Sequence, residues 1–415
     1  MEEKFVLFVG IDCSVEGYQV CVLDQIGEMI SERTVLHSGL GISQFLDWLA
    51  EQTPQVANQV AVAIENPRGA MVESLVERNH AVFAINPKQL DRFRDRYSVA
   101  GAKDDRRDAF VLADSLRTDR HCFKRVQIDD PSIIRIRELS RMEDDLQQDW
   151  VRLTNQLREQ LHRYYPQMLR LSAAADDPWL WELLELAPLP VQKPKLQKSR
   201  VEKLLRKHHI RRLSAEQVLG ELQSQPLSLA AGTAEAASEV CLLLVARLRV
   251  LHQQNVQVAK RIEAILGQLA LNPAHDDVGR GHRDVELLRS LPGVGRVVAA
   301  TMLAEAAQSL ASRDYHALRA YGGIAPVTRQ SGKTRQVLMR YGCNPRLRNV
   351  LYHWSRVSMQ HDERSRQHYH RLRCSGHSHG RALRGVADRL LAVLIAMLKH
   401  QTPYDPQRRR RTVLN

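Results

Sequence analysis

Four acidic residues are arranged in a way that suits phosphoryl chemistry. Asp12 follows an apolar run, Phe5 to Ile11, and Glu65 follows another, Val60 to Ile64. Asp105 and Asp108 lie three apart in Lys103-Asp104-Asp105-Arg106-Arg107-Asp108-Ala109. A helix over Arg106 to Leu116 puts both on one face. Carboxylates gathered at two strand ends and one helix turn repel one another, and a hard cation relieves that repulsion. Mg²⁺ takes carboxylate oxygens and keeps several waters, and two such ions can clamp the attacking and leaving oxygens of a phosphodiester. Asp12, Glu65, Asp105 and Asp108 are therefore candidate Mg²⁺ ligands. Taken singly, each acid reads more simply as solvated, or as a partner of Lys103, Arg106 or Arg107. Their order along the chain favours the metal.

That order depends on the elements between them. Phe5–Asp12, Tyr18–Leu23 and Met29–His37 read as strands, the last two joined through Gln25-Ile26-Gly27. A helix over Ile42–Glu51, a strand over Val60–Glu65, a helix over Arg68–Arg78 and a strand over Ala81–Ile85 follow, and Pro87 opens another helix. Tyr97 to Asp104 reads as a loop before the Asp-x-x-Asp helix. Strand–Asp, hairpin, helix, strand–Glu, helix, strand, helix, Asp-x-x-Asp is how a ribonuclease H-like, RuvC-like fold brings acids to one end of a mixed sheet. This α/β region is expected over residues 1–125.

Residues 126–275 read as all-α. Leu139, Met142, Leu146, Trp150, Leu153, Leu157, Leu161 and Tyr164 recur at helical spacing. Cys241, Leu244, Leu248, Leu251, Asn255, Val258, Ile262, Ile265 and Leu269 alternate strictly by three and four, as in a coiled-coil seam with a polar Asn255. The two helices are expected to pair antiparallel, within one chain or between protomers, as a coiled coil or as core helices of a bundle. Between them an insert, 171–238, is broken by prolines. It carries the basic stretch Lys193 to Arg212, read as a cationic helix whose charge no acids balance. Arg206, Lys207 and Arg211 are candidate phosphate contacts there, against the simpler reading of a solvated face.

A polar linker, Asn272 to Arg283, leads to a mostly helical region over 276–403. Pro292-Gly293-Val294-Gly295 sits between helices over Val285–Leu291 and Val297–Ala307. Gly293 and Gly295 would let helix amides approach a phosphate, as in helix-hairpin-helix modules, or would simply make a tight turn. Tyr321 to Arg335 is a Gly/Pro-rich loop in which Ser331 stands on a turn among Arg329, Lys333 and Arg335. Those cations could hold a phosphate. A serine hydroxyl is a weak nucleophile without a base or metal, and nothing local supplies one. Helices over Pro345–Gln360, Arg364–Arg373 and Gly380–His400 precede a basic tail, 404–415. Cys374, His377 and His379 offer too few ligands for zinc.

The 415 residues carry 60 Lys and Arg against 47 Asp and Glu, a net charge of +13 that favours a polyanionic partner. Six scattered cysteines suggest reduced thiols. No signal peptide is expected, and the longest apolar run, Leu390 to Leu398, is too short to span a bilayer. A cytoplasmic protein with no membrane partner is the expectation.

The residues assembled above resemble one family. Gly10-Ile11-Asp12, Ile64-Glu65, Lys103 to Ala109, Leu291-Pro292-Gly293-Val294-Gly295, Tyr321-Gly322-Gly323-Ile324-Ala325-Pro326 and Arg329-Gln330-Ser331-Gly332 are similar, in order, to the DEDD insertion-sequence transposases (insertion-sequence family one-ten and its one-one-one-one subgroup). The resemblance implies a RuvC-like domain joined through a coiled coil to a C-terminal transposase domain. It implies a recombinase that joins donor and target DNA under the guidance of a non-coding bridge RNA. It further implies that Asp12, Glu65, Asp105 and Asp108 hold Mg²⁺, and that Ser331 is a nucleophile forming a phosphoserine link. The acids of one protomer would meet the serine of another in a homo-oligomer, a tetramer made of two dimers. The alternatives are a RuvC-like metal-dependent nuclease of branched DNA and a non-catalytic nucleic-acid-binding scaffold.

Overall fold

The computed structural model describes every residue except 1–3, 15, 53–58, 98–103, 128, 191–195, 272–279, 333 and 407–415. Lys103, Lys333, the start of the basic stretch, most of the polar linker and the four-arginine tail therefore lie outside the described residues. The chain forms two compact units, Met1–Asp129 and Asp130–Asn415.

The first unit runs β1 (Leu7–Cys13), β2 (Gly17–Leu23), β3 (Met29–Leu36), α1 (Gly39–Gln52), β4 (Val60–Ile64), α2 (Ala70–Glu77), β5 (Ala81–Ala84), α3 (Pro87–Arg94), α4 (Asp105–Thr118) and β6 (Lys124–Arg125). Its sheet has the order β3-β2-β1-β4-β5-β6. β1, β4 and β5 are parallel, and β2, β3 and β6 pair antiparallel with their neighbours. The mixed sheet is thus as expected, apart from β6. That strand pairs Lys124 and Arg125 with Ala84 and Phe83 at the sheet edge, and two exposed basic residues give no apolar pattern by which to find it.

Side-chain alternation divides the sheet into two unequal faces. Leu7, Val9, Ile11, Val60, Val62 and Ile64 face a core shared with α1 and α2. On the other face Ala61 and Ala63 meet α4 residues such as Ala109 and Ala113. Gly10 shares that face, and a Cβ there would lie 1.9 Å from the Ala109 carbonyl oxygen. Small residues let α4 lie directly on the strands, and this seating fixes where its first turn falls.

In the second unit α5 (Pro131–Tyr164), α6 (Pro166–Leu171), α7 (Pro178–Leu186), α8 (Lys198–Lys207), α9 (Ala215–Leu222) and α10 (Thr233–Leu271) come first. Ile136 and Leu146 of α5 share a core with Ile262 and Leu269 of α10, whereas Leu153 and Leu161 share one with Cys241 and Leu248. The long helices therefore pair antiparallel within one chain. Met142, expected on the α5 stripe, is exposed. The insert packs its buried Trp179 and Trp181 into the core that Leu153 and Leu161 share with Cys241 and Leu248. Its basic stretch is helical only over α8, because His209 takes a left-handed conformation, φ 55°, that ends the helix.

The remainder comprises α11 (Arg280–Ser290), α12 (Arg296–Ala311), α13 (Tyr315–Tyr321), β7 (Val327–Ser331), β8 (Thr334–Leu338), α14 (Pro345–His361), α15 (Glu363–Cys374) and α16 (His379–His400). Leu303, Leu351, Trp354, Leu391 and Leu394 centre its core. Among the described residues no helix is long and apolar enough to cross a membrane.

Candidate active site

The parallel register of β1 and β4 pairs Ile11 with Ile64, so Asp12 and Glu65 emerge side by side at the same end of the sheet. Asp12 shares the alternation of Gly10 and so lies on the face that α4 covers, while Glu65 follows the last residue of β4 and is close enough to Asp12 to raise its carboxyl. Asp105 and Asp108 occupy the first turn of α4, where the helix dipole favours negative charge. Asp104 caps the same helix, accepting a hydrogen bond from the Arg106 amide at 3.2 Å. Its carboxylate is thus used as a cap.

Electrostatics tie the four acids together. The Asp12 carboxyl is pushed up from 3.8 to about 6, first by burial and then by Asp108, Asp105 and Glu65 in that order. The neighbouring Cys13 thiol is pushed up to about 11 by burial and by Asp12 and Glu65, which keeps it protonated at neutral pH. Asp108 is only 1 % exposed. Its carboxylate takes two hydrogen bonds from Arg94 of α3, from Nε at 2.6 Å and from a terminal nitrogen at 2.8 Å. Arg106 reaches Glu32 instead, at 3.0 Å. Among the described residues, the cation paired with Asp108 is therefore Arg94 and not Arg106.

Among the described residues, no three acidic, histidine or cysteine side chains stand close enough to hold one metal ion. The Arg94 guanidinium donates to both oxygens of Asp108, which is also the strongest charged neighbour of Asp12. The donor chemistry still suits a hard divalent cation: oxygen donors from three elements face one region, and their repulsion already raises the buried one.

Ser331 lies in the second unit. It is the last residue of β7, and β7 and β8 form an exposed hairpin in which Gly332, at φ 54°, follows the serine. The irregular loop expected over 321–335 is thus half strand, because Val327, Thr328, Thr334 and Val337 favour extended backbone. Ser331 pairs with Thr334 and Arg329 with Gln336. Ser331 and Arg329 share one face of the ribbon, while Arg335, paired with Gln330, projects from the other. Among the described residues no side chain hydrogen-bonds the Ser331 hydroxyl. The root of the hairpin is anchored more firmly than its tip: the Asn344 amide donates to the Tyr321 carbonyl at 2.8 Å. Asn344 Nδ2 and Arg346 both donate to the buried Glu305 of α12 at 2.8 Å, and Arg346 also donates to Asp144 of α5 at 2.7 Å.

The two glycines at the α11–α12 turn differ. Gly293 has φ 79° and packs against Ser358 of α14, and the adjoining Pro292 carbonyl accepts from Trp354 and Ser358 at 2.9 and 2.6 Å. Packing explains Gly293. Gly295 is open and caps α12 without a side chain. On the insert, the charge expected to be unbalanced is partly answered by acids. Lys207 and His208 pair with Glu182, Lys198 with Glu216, and Arg212 with Asp177. Arg206 and Arg211 are exposed with no such partner among the described residues.

Sequence reasoning missed Arg94 and the anchor formed by Glu305, Asn344 and Arg346. An arginine fourteen residues before its partner carries no spacing signal. The small-residue paving did leave one, the Val60-Ala61-Val62-Ala63-Ile64 alternation.

A strand-end Asp and Glu side by side, with Asp-x-x-Asp on a helix laid across them, define a DEDD-type nucleic-acid-processing domain. Residues 9–166 match a family model described as a transposase, the DEDD domain of IS110 elements, and residues 285–370 match one described as transposase of the IS116/IS110/IS902 family. The chain is 30 % identical to the protein assigned as transposase of the IS117 mini-circle of Streptomyces coelicolor, covering 98 % of this chain and 97 % of that one. It is 44 % identical to the y4uE protein of Sinorhizobium fredii over half of this chain and 58 % of the relative's length. The 43.6 kDa protein of the insertion element IS110, also from Streptomyces coelicolor, is 26 % identical over 96 % of this chain and 95 % of its own. The chain belongs to the IS110 family of transposases.

Proposed function

We propose that this protein is an RNA-guided DNA recombinase that moves its own insertion sequence, with Ser331 as nucleophile and Asp12, Glu65, Asp105 and Asp108 as holders of Mg²⁺. One observation carries this reading: four acids from the ends of β1 and β4 and the first turn of α4 lie at one sheet end, where burial first, and the other three acids next, raise the Asp12 carboxyl to about 6. The bound cation supplies charge neutralisation at phosphate oxygens. Asp12 and Glu65 are positioned by the sheet, Asp105 and Asp108 by the seated helix. The Ser331 hydroxyl gives up its proton and forms an oxygen–phosphorus bond, and the DNA hydroxyl leaves with a proton.

No base accompanies the serine on its hairpin, so its activation is assigned to the acidic cluster of another protomer. A homo-oligomer, a dimer or a tetramer of two dimers, follows from that assignment. The net charge of +13 supports nucleic acid as partner, both donor and target DNA and a non-coding guide RNA. Arg329, Lys333, Arg335, Gly293, Gly295, Arg206, Lys207 and Arg211 are the proposed backbone contacts, and the cytoplasm the proposed location.

The test is covalent trapping with nicked donor DNA, co-purified RNA and Mg²⁺. The wild type is expected to leave a protein–DNA adduct that Ser331→Ala abolishes and Asp12→Ala prevents. An adduct that survives in Ser331→Ala overturns the serine assignment. Cleavage with no adduct points to a water-using nuclease, and salt-sensitive binding without strand breakage to a scaffold.

A further inference from the structure

The end of β8 and the segments flanking the serine hairpin form one wall of a cavity of about 220 Å³ in the second unit, and α16 forms another. Four arginines and a single carboxylate line it: Arg319, Arg340, Arg381, Arg384 and Asp388. Asp388 is fully occupied. Arg319 donates to its two oxygens at 2.9 and 2.8 Å, and the Tyr315 hydroxyl donates to the same group at 2.7 Å. Three guanidinium groups then remain with no carboxylate partner among the described residues. Among the described residues, Arg340 donates only to the Ala325 carbonyl at 3.2 Å, and Arg384 meets nothing better than the Met339 sulfur at 3.7 Å. Arg381 is exposed and has no hydrogen-bond or ion-pair partner among the described residues.

Arg340 and Arg384 are half-buried. Taking a charge partly out of water without a counter-ion is costly, and the cost is recovered when an anion enters. Several guanidinium forks converging on one space match the oxygens of a phosphate, which they can hold bidentately. The wall facing them is apolar, made by Val337 and Leu338, which are 58 % and 40 % exposed. A charged floor beside an exposed apolar wall suits a sugar–phosphate backbone running past better than an enclosed free ion.

We propose that this cavity, at the root of the Ser331 hairpin, binds one phosphate group of a nucleic-acid backbone. Arg381 and Arg384 hold its oxygens, and Arg340 completes the neutralisation. The contact places a phosphate at a fixed distance along the strand from the one that Ser331 attacks, so it rests on the reading of that serine given above. Free inorganic phosphate offers the same oxygens and is the competing source.

The experiment measures binding of a mixed-sequence DNA duplex of about 20 base pairs to the full chain across a salt series. The comparison is between wild type and Arg381→Gln/Arg384→Gln. Losing one phosphate contact should lower the slope of log affinity against log salt by about 0.9. The affinity should fall roughly tenfold at fixed salt, equally for unrelated sequences. Arg384→Lys should keep the slope while losing affinity, because it keeps charge without the fork. An unchanged slope and affinity in a variant that melts like wild type overturns the proposal. So does a variant that no longer gains thermal stability from inorganic phosphate yet binds DNA normally, since that assigns the cavity to the free ion. Should the variants fail to fold, phenylglyoxal modification of the wild type decides: DNA must protect Arg340, Arg381 and Arg384, and their equal labelling with and without DNA overturns the proposal. The binding and protection readouts need no covalent adduct, so absence of the adduct and absence of this contact are separate failures.

Discussion

Replacing Asp12 by Asn keeps the shape of the side chain and removes its charge, which makes it a direct test of the crowding at the sheet end. Asp12 is 8 % exposed, and its carboxyl rises from 3.8 to about 6 through burial and three neighbouring acids. Each tenfold change in an ionisation constant is worth about 1.36 kcal/mol, so the ionised side chain costs the fold on the order of 3 kcal/mol. The sign follows from the raised value: the folded chain holds this proton more tightly than the unfolded one. Stability therefore falls as pH rises from 3.8 to about 6, and the full cost is present above that. Asn bears none of it. With divalent ions chelated at about pH 7.5, Asp12→Asn should be more stable than wild type by about 3 kcal/mol, roughly 10 °C in the transition of the first unit. The gap should close near pH 4, about where the unfolded carboxyl titrates. Adding Mg²⁺ should then stabilise the wild type and leave the variant almost unmoved. Differential scanning calorimetry of the full chain, with and without the chelator, reads each of these. An Asn variant no more stable than wild type in the chelated neutral buffer would refute the reasoning, because it would mean that burial and the other acids together put no cost on the ionised Asp12.

Two further substitutions test what positions the acids. Gly10→Ala would place a methyl group 1.9 Å from the Ala109 carbonyl and 2.6 Å from the Ala113 amide, so α4 must lift. Calorimetry should show a loss of about 1–3 kcal/mol, together with loss of the Mg²⁺-dependent stabilisation; normal stability and metal response would mean that α4 is not seated on the strand. Arg94→Gln leaves Asp108 buried without its counter-charge and should cost about 3 kcal/mol in chelated buffer. Saturating Mg²⁺ should restore part of that loss if the freed carboxylate joins the cation, and no restoration would show that Asp108 serves only as partner to Arg94.

The order of strands and helices in the first unit was legible because the chain keeps simple periods there. Val60-Ala61-Val62-Ala63-Ile64 reads as a strand with one bulky and one small face, and Pro87 and the acids of Asp104 to Asp108 mark helix starts that the structure contains. The long α5 and α10 stripes were legible for the same reason. Less of the second unit could be read. The Ser331 stretch looked like a loop because its glycines and prolines outweigh a short run of strand formers, and a two-stranded ribbon with no buried face leaves no hydrophobic signature.

What the sequence determines by itself is local: which residues are acidic, how far apart they stand, and which segments repeat at strand or helix spacing. Those features follow from backbone geometry, which acts over a few residues at a time. Which charge meets which carboxylate is decided only by packing. Arg94 reaches Asp108 because α3 and α4 settle on the same sheet face, and Arg346 reaches Asp144 across 202 residues because α5 and α14 both pack against α12. Asp12 titrates near 6 only once burial and three acids from elsewhere in the unit surround it. Such long-range contacts have no period to read, and their energy exists only after the chain has folded.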